Sequence, residues 1–260
     1  MSLLDYVVET PRRTMVLFFL VDCSGSMRGN KIGTVNSAIE EVVPEIKKIS
    51  ENNADAQIKI AVLSFSTGTK WIVDGQGMPF DAETFKWNYL NADGVTDLGA
   101  ACLQLNEKMS RSQFMSEVTG SFAPAIFLLS DGAPTDDFNH GLAKLKENNW
   151  FKVAIKVAIA IGNDADVDVL GKFTGDPDAV ITVHKPSDLA KWIKFVSVTS
   201  SQIGSKSASV NSVGAQTTSK QEEIIKEIKD FKEEEEKIIE QHAEGEYLEL
   251  PGFSDDGFIW

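Results

Sequence analysis

The sequence predicts an α/β protein: a doubly wound, mostly parallel sheet with helices on both faces. Three observations carry this expectation. Continuous apolar runs alternate with segments of helical periodicity. Several of those runs end directly in short polar loops. Apolar residues make up 42% and aromatic residues 9% of the 260, enough to fill a core on each side of a sheet.

Residues 15–21 are apolar at every position, which reads as a strand buried on both faces. Over 31–50, apolar residues recur at Ile32, Val35, Ile39, Val42, Val43, Ile46 and Ile49, the spacing of an amphipathic helix. Pro44 is expected to bend it. Residues 58–65 form a second strand and 71–73 a short third. The turn-prone Thr67-Gly68-Thr69 between them is too short for a crossover, so one antiparallel edge hairpin is expected. A helix follows over 98–109, a buried strand over 125–129, a helix over about 136–148, and a strand over 152–161. A short helix over 166–173, a strand over 180–183 and a helix over 187–202 with Ser187 as its N-cap complete the pattern. In such open sheets ligands bind at the carboxyl ends of the strands. Polar loops far apart in sequence are therefore expected to meet at that end.

The chain divides into a domain over 12–202, a flexible linker rich in Ser, Thr and Gly over 203–219, and an acidic helix with an acidic-aromatic tail over 220–260. The helix carries an apolar stripe of Ile224, Ile225, Ile228, Phe231, Ile238 and Ile239, interrupted by Glu235. It either docks on the body or is offered to a partner. The formal charge is −14, and residues 205–260 hold 14 acidic and 6 basic residues, net −8 of that total. Such a balance argues against nucleic acid, whose phosphates demand clustered Lys and Arg. It suits divalent cations or basic partners. No apolar run approaches the roughly 20 residues that span a bilayer, and no basic segment followed by a long apolar stretch opens the chain. Cys23 and Cys102 lie in separate segments, with no spacing that suggests zinc or a disulfide framework. The expectation is a soluble cytoplasmic protein.

The residues that carry chemistry fall in three loops. Asp22-Cys23-Ser24-Gly25-Ser26 follows the first strand and presents one carboxylate and two hydroxyls at alternate positions, able to point into one small volume. Gly94-Val95-Thr96-Asp97-Leu98-Gly99 opens a helix and adds the Thr96 hydroxyl. Ser130-Asp131-Gly132 follows another buried strand and adds the Asp131 carboxylate. Each piece alone reads as a turn or a helix cap. Together, at one end of one sheet, they make an oxygen-donor set for a hard cation. Because carboxylates are few, the ion keeps positive charge for an outside acidic group. Of the aromatic residues in or beside the connections (Trp71, Phe80, Phe85, Trp87, Tyr89 and Phe138), most are expected to pack under the loops.

These three elements, in this order, resemble the metal-ion-dependent adhesion site of the von Willebrand factor type A family, over about residues 12–202. The resemblance implies a six-stranded, Rossmann-like doubly wound sheet. It implies Mg²⁺ or Mn²⁺ bound by the hydroxyls of Ser24, Ser26 and Thr96 and by Asp22 and Asp131, directly or through water. It also implies a partner protein whose Asp or Glu carboxylate completes the coordination. The segments Val21-Asp22-Cys23-Ser24-Gly25-Ser26-Met27 and Thr96-Asp97-Leu98-Gly99-Ala100-Ala101 are similar to the bacterial TerY-like group linked to tellurium resistance and stress. That similarity implies a cognate kinase and phosphatase as partners.

Two other readings compete with this one. In a structural scaffold the ion would only steady the loops. A phosphohydrolase of the haloacid-dehalogenase type needs a second Asp two residues after the first, where this chain has Ser24. Neither a Gly-x-Ser-x-Gly elbow nor a P-loop is present, and His140, His184 and His242 follow no strand in the manner of a triad base. The expected function is binding and not catalysis.

Overall fold

The central strand β1 (Arg13–Asp22) has parallel neighbours on both sides, β2 (Ala56–Ser66) and β5 (Ala125–Ser130). From Thr14 onward all of it is buried. Successive side chains point to opposite faces. Met15, Leu17, Phe19 and Val21 therefore enter one core, and Val16, Phe18 and Leu20 the other. This double burial is why the run is apolar throughout. The architecture is that of a computed structural model describing residues 12–117, 120–183, 186–205 and 219–246.

The strand order is β3–β2–β1–β5–β6–β7. β6 (Ile155–Ile161) and β7 (Val180–Val183) continue the parallel sheet. β3 (Gly68–Ile72) is antiparallel to β2, the expected edge hairpin. The sheet has seven strands and not the six expected. The extra one, β4 (Phe80–Asp81), pairs antiparallel with Lys59 and Ile60 of β2. Two residues are too few for any periodicity to register.

α1 (Asn30–Asn52), α6 (Pro186–Ser205) and α7 (Lys220–Glu246) cover one face. α2 (Leu98–Lys108), α3 (Phe138–Glu147), α4 (Asn149–Val153) and α5 (Val167–Thr174) cover the other. α1 continues through Pro44 as one helix, with Val42 and Ile46 buried on either side of it. Two local expectations are corrected. The strand expected from 152 begins only at Ile155, because the Asn148 side chain accepts from Trp150 N and Phe151 N and starts α4. α6 begins at Pro186, placing Ser187 inside the first turn and not at the cap. Most of the 203–219 linker and all of the tail from residue 247 lie outside the described residues. No helix among the described residues is long and apolar enough to cross a membrane.

α7 docks on the body. Ile224 and Ile228 are completely buried, and the Phe231 ring stacks on Phe195 at 4.2 Å between centroids and meets Trp192 edge-on at 4.8 Å. Glu235, which breaks the apolar stripe, accepts from Lys191 of α6. At its first turn Gln221 donates to Lys156 O and accepts from Lys156 N, at 2.9 and 2.8 Å. Pairing with β7 starts only at Ala158, so this side chain stands in for the missing strand.

Lys156 itself is 8% exposed, and its ammonium donates to the carbonyls of Phe151 and Ala154. Burial, reinforced by Lys146, pulls its pKa down to about 8.

Two predictions follow from this packing. Ile228→Ala should cost about 2–5 kcal/mol in urea unfolding; a loss within about 0.5 kcal/mol would mean that α7 is a solvated helix. Lys156 binds its proton less well folded than unfolded, so its contribution to stability rises as pH climbs from about 8 toward 10.5. Lys156→Met should flatten that rise; an unchanged pH slope would contradict the assignment.

Candidate metal centre

Asp22 ends β1 and is completely buried. Its Oδ1 accepts the Ser24 N–H at 2.8 Å, and its Oδ2 accepts the Ser130 hydroxyl at 2.6 Å. The Ser130 Oγ also accepts the Gly132 N–H at 2.8 Å, so one hydroxyl ties the loop after β5 to the carboxylate after β1. Burial pushes the Asp22 carboxyl above its usual range. The bonds from Ser130 and Ser24 oppose that rise, and the nearby Asp131 carboxylate adds to it.

The first loop then turns so that the Ser24 and Ser26 hydroxyls lie 2.9 Å apart. Ser24 is buried and Ser26 is exposed, so the pair runs from interior to surface. The second loop is laced against the first: Asp93 N donates to Cys23 O at 2.8 Å, and Gly25 N to Gly94 O at 2.9 Å. A side chain at Gly25 would press on Gly94 O at 3.1 Å. One at Gly94, whose φ is +83°, would strike Thr67 Oγ1 at 2.3 Å. Arg28 pairs with Asp93 at the surface and closes the same seam.

Thr96 is 5% exposed. Its backbone is clamped by Thr135, whose Oγ1 accepts Thr96 N–H at 3.0 Å and whose N–H donates to Thr96 O at 2.9 Å. Asp97 is the N-cap residue of α2, but its side chain bonds elsewhere and accepts Gly68 N–H at 2.6 Å. The amides that open α2 are met instead by Asp136, which accepts from Gly99 N and Ala100 N at 2.8 and 2.7 Å.

Asp131 follows β5 and is 3% exposed. Its Oδ2 accepts from Lys31 Nζ at 3.2 Å, whereas its Oδ1 is buried without a hydrogen-bond partner. Its carbonyl accepts Asp166 N–H at 2.7 Å. An orphaned carboxylate oxygen in the interior is costly unless something positive meets it. The structure brings the Asp22 and Asp131 carboxylates near one another and bonds the Ser24 and Ser26 hydroxyls, with the backbone of Thr96 held beside the same loops, so the donors on offer are oxygens. That chemistry fits a hard divalent cation, with Ser26 marking the side open to solvent.

The motif does not single out Ser130, Asp136, Thr135 and Lys31. Ser130 was visible only as part of a turn, and the other three act from outside the motif. Of the aromatic residues, Phe85 and Phe138 are buried, and Trp71 packs edge-on against Phe18 and Phe114. The Trp87 indole donates to Asn36, and only Tyr89 stands well into solvent. The apolar side chains exposed on the site loops are smaller: Val95, beside Thr96, and Val167, at the start of α5. Cys23 and Cys102 are both unpaired and buried, and burial pushes the Cys23 thiol up to about 12.

A sequence profile described as the von Willebrand factor type A domain matches residues 17–195. Among solved structures, proximal thread matrix protein 1 from the mussel byssus, with a zinc-occupied MIDAS motif, is 19% identical at a TM-score of 0.54, over 72% of this chain and 48% of that one. A von Willebrand factor type A protein from Catenulispora acidiphila is 19% identical at a TM-score of 0.51, over 72% and 42%. The pilus adhesin SpaC of Lactobacillus rhamnosus GG is 12% identical at 0.54, over 72% and 30%. At these identities the likeness is one of fold, and this chain spans less than half the length of each of the three. No curated protein sequence matches it.

Ser130→Ala would leave Asp22 Oδ2 buried without its donor. It should cost about 1.5–3 kcal/mol in urea unfolding carried out in a chelator. Unchanged stability would show that the hydroxyl does not support the carboxylate.

Proposed function

The chain belongs to the von Willebrand factor type A domain family, and from that footing we propose that it is a metal-ion-dependent protein-binding module. Asp22, Ser24, Ser26, Thr96 and Asp131 hold a Mg²⁺ or Mn²⁺ ion. An Asp or Glu carboxylate of a partner protein would complete the coordination of that ion. The observation that carries this reading is the buried Asp131 Oδ1 without a partner, close to the buried Asp22 carboxylate. Domains of this family are generally interaction modules, and the fold is shared by an adhesin and a byssus matrix protein. The byssus protein has zinc in its motif. The oxygen-only set here favours Mg²⁺ or Mn²⁺, because zinc prefers nitrogen and sulfur.

The protein's own residues divide the task. Ser24 N–H and Ser130 hold Asp22 in the interior, and Thr135 fixes Thr96 through its backbone. When bound, the ion supplies an electrophilic centre that binds an anionic oxygen. The two carboxylates do no more than balance a dication and the other three donors are neutral, so the loaded site would still accept an anionic oxygen from the partner. The exposed Val95 and Val167 offer apolar contacts to residues flanking that acid. The similarity of the first two loops to TerY-like proteins supports a place in a bacterial stress or tellurium-resistance-type signalling complex, with a kinase and a phosphatase as partners. The two unpaired thiols suit a reducing cytoplasm.

A purely structural ion is the second reading, favoured by how tightly the loops are laced to one another. Calorimetric unfolding with Mg²⁺ and with chelator, run beside capture of partners from the native host, separates the two. Mg²⁺ at about 100 times its dissociation constant should add roughly 2.7 kcal/mol to stability. Thr96→Ala and Asp131→Ala should lose both that gain and the captured partner. Capture that persists in chelator with the fold intact would establish the scaffold, and phosphate release lost in Asp22→Asn would establish an enzyme.

A further inference from the structure

Lys31 is the second residue of α1, immediately beyond the first loop. Its Nζ lies 3.2 Å from Asp131 Oδ2 and 2.8 Å from Asp164 Oδ1. The Lys31 and Asp131 side chains are 21% and 4% exposed, whereas Asp164 is 71% exposed. Room for the ammonium is provided by Gly162, at the end of β6. A Cβ there would sit 2.7 Å from Lys31 Cε and 3.2 Å from Nζ, and its φ of +94° is a conformation that other residues avoid. The two oxygens of Asp131 are thus divided. One is satisfied by a fixed cation of the protein, and the other is buried and unsatisfied.

We infer that Lys31 is a specificity-determining residue of this site, a second, protein-borne cation that loosens the hold on the metal and sharpens the loaded site's demand for a carboxylate. The inference rests on the metal-binding reading above. A charge one carboxylate away from an ion interacts strongly with it in a partly buried setting. Lys31 therefore repels the arriving dication and attracts the arriving carboxylate. Asp164 cancels only part of this, because water screens an acid so exposed. A role limited to steering Asp131 would have the opposite consequence for the metal, since removing Lys31 would then weaken binding.

The test is titration calorimetry with Mg²⁺ on the full chain and on Lys31→Met, Lys31→Arg and Asp164→Asn. Acetate is then added to the Mg²⁺-saturated proteins and followed by thermal unfolding. Lys31→Met keeps the aliphatic stem and should bind Mg²⁺ about 3- to 10-fold more tightly, while the extra stabilisation by acetate shrinks. Asp164→Asn should bind Mg²⁺ more weakly, and Lys31→Arg should behave like the natural protein. Equal or weaker Mg²⁺ binding by Lys31→Met overturns the inference. Absence of Mg²⁺ heat in the natural protein and in all three variants is a different result, and overturns the metal reading with it.

Discussion

A carboxylate with no access to water ends the central strand, and much of the molecule is arranged around that fact. Asp22 is completely buried, at the point where β1 leaves the sheet between two parallel neighbours. A charge placed there is expensive. The Ser24 amide and the Ser130 hydroxyl reduce the cost without removing it, since burial still holds the carboxyl above its usual range. A second acid, Asp131, faces the same region with one oxygen unmet. Two such acids at the focus of three loops make a standing demand for positive charge, which a divalent cation would meet.

The fold supplies that focus by topology. In a doubly wound sheet the loops after β1 and β5 leave from adjacent strands at the same end, and the loop before α2 is sewn to both. Cys23 and Gly25 bond to residues 93 and 94, and Thr96 bonds to Thr135. Glycines at 25 and 94 let the first two loops approach within backbone hydrogen-bond distance. α7 makes no part of this site. It packs on the face that α1 and α6 also cover, using Ile224, Ile228 and Phe231 against α6 and the sheet, and it fills a short gap in strand pairing with Gln221.

Most of the architecture was legible in the sequence because strands buried on both faces are written as unbroken apolar runs. The edge hairpin was legible from the length of its turn. What escaped was either too short to have a period or decided by a single side chain. β4 is two residues long, and α4 starts because Asn148 caps it. α1 runs through Pro44 as one helix, with Val42 and Ile46 buried on either side of it. The Asp22, Ser24, Ser26, Thr96 and Asp131 pattern was visible as a motif. The residues that support it were not, since Ser130, Thr135, Asp136 and Lys31 act through contacts between distant segments. Glu235 looked like a flaw in the stripe of α7 and is a bridge to Lys191. No pattern within one helix could have disclosed that partner.

The central claim is that one divalent cation is held by these five side chains. A crystal of the full chain grown or soaked with Mn²⁺ and measured for anomalous scattering tests it most directly. The account predicts a single strong peak enclosed by Asp22, Ser24, Ser26, Thr96 and Asp131, absent from crystals of Asp131→Ala. A peak found only on the acidic face of α7, or none at all at saturating Mn²⁺, would contradict it.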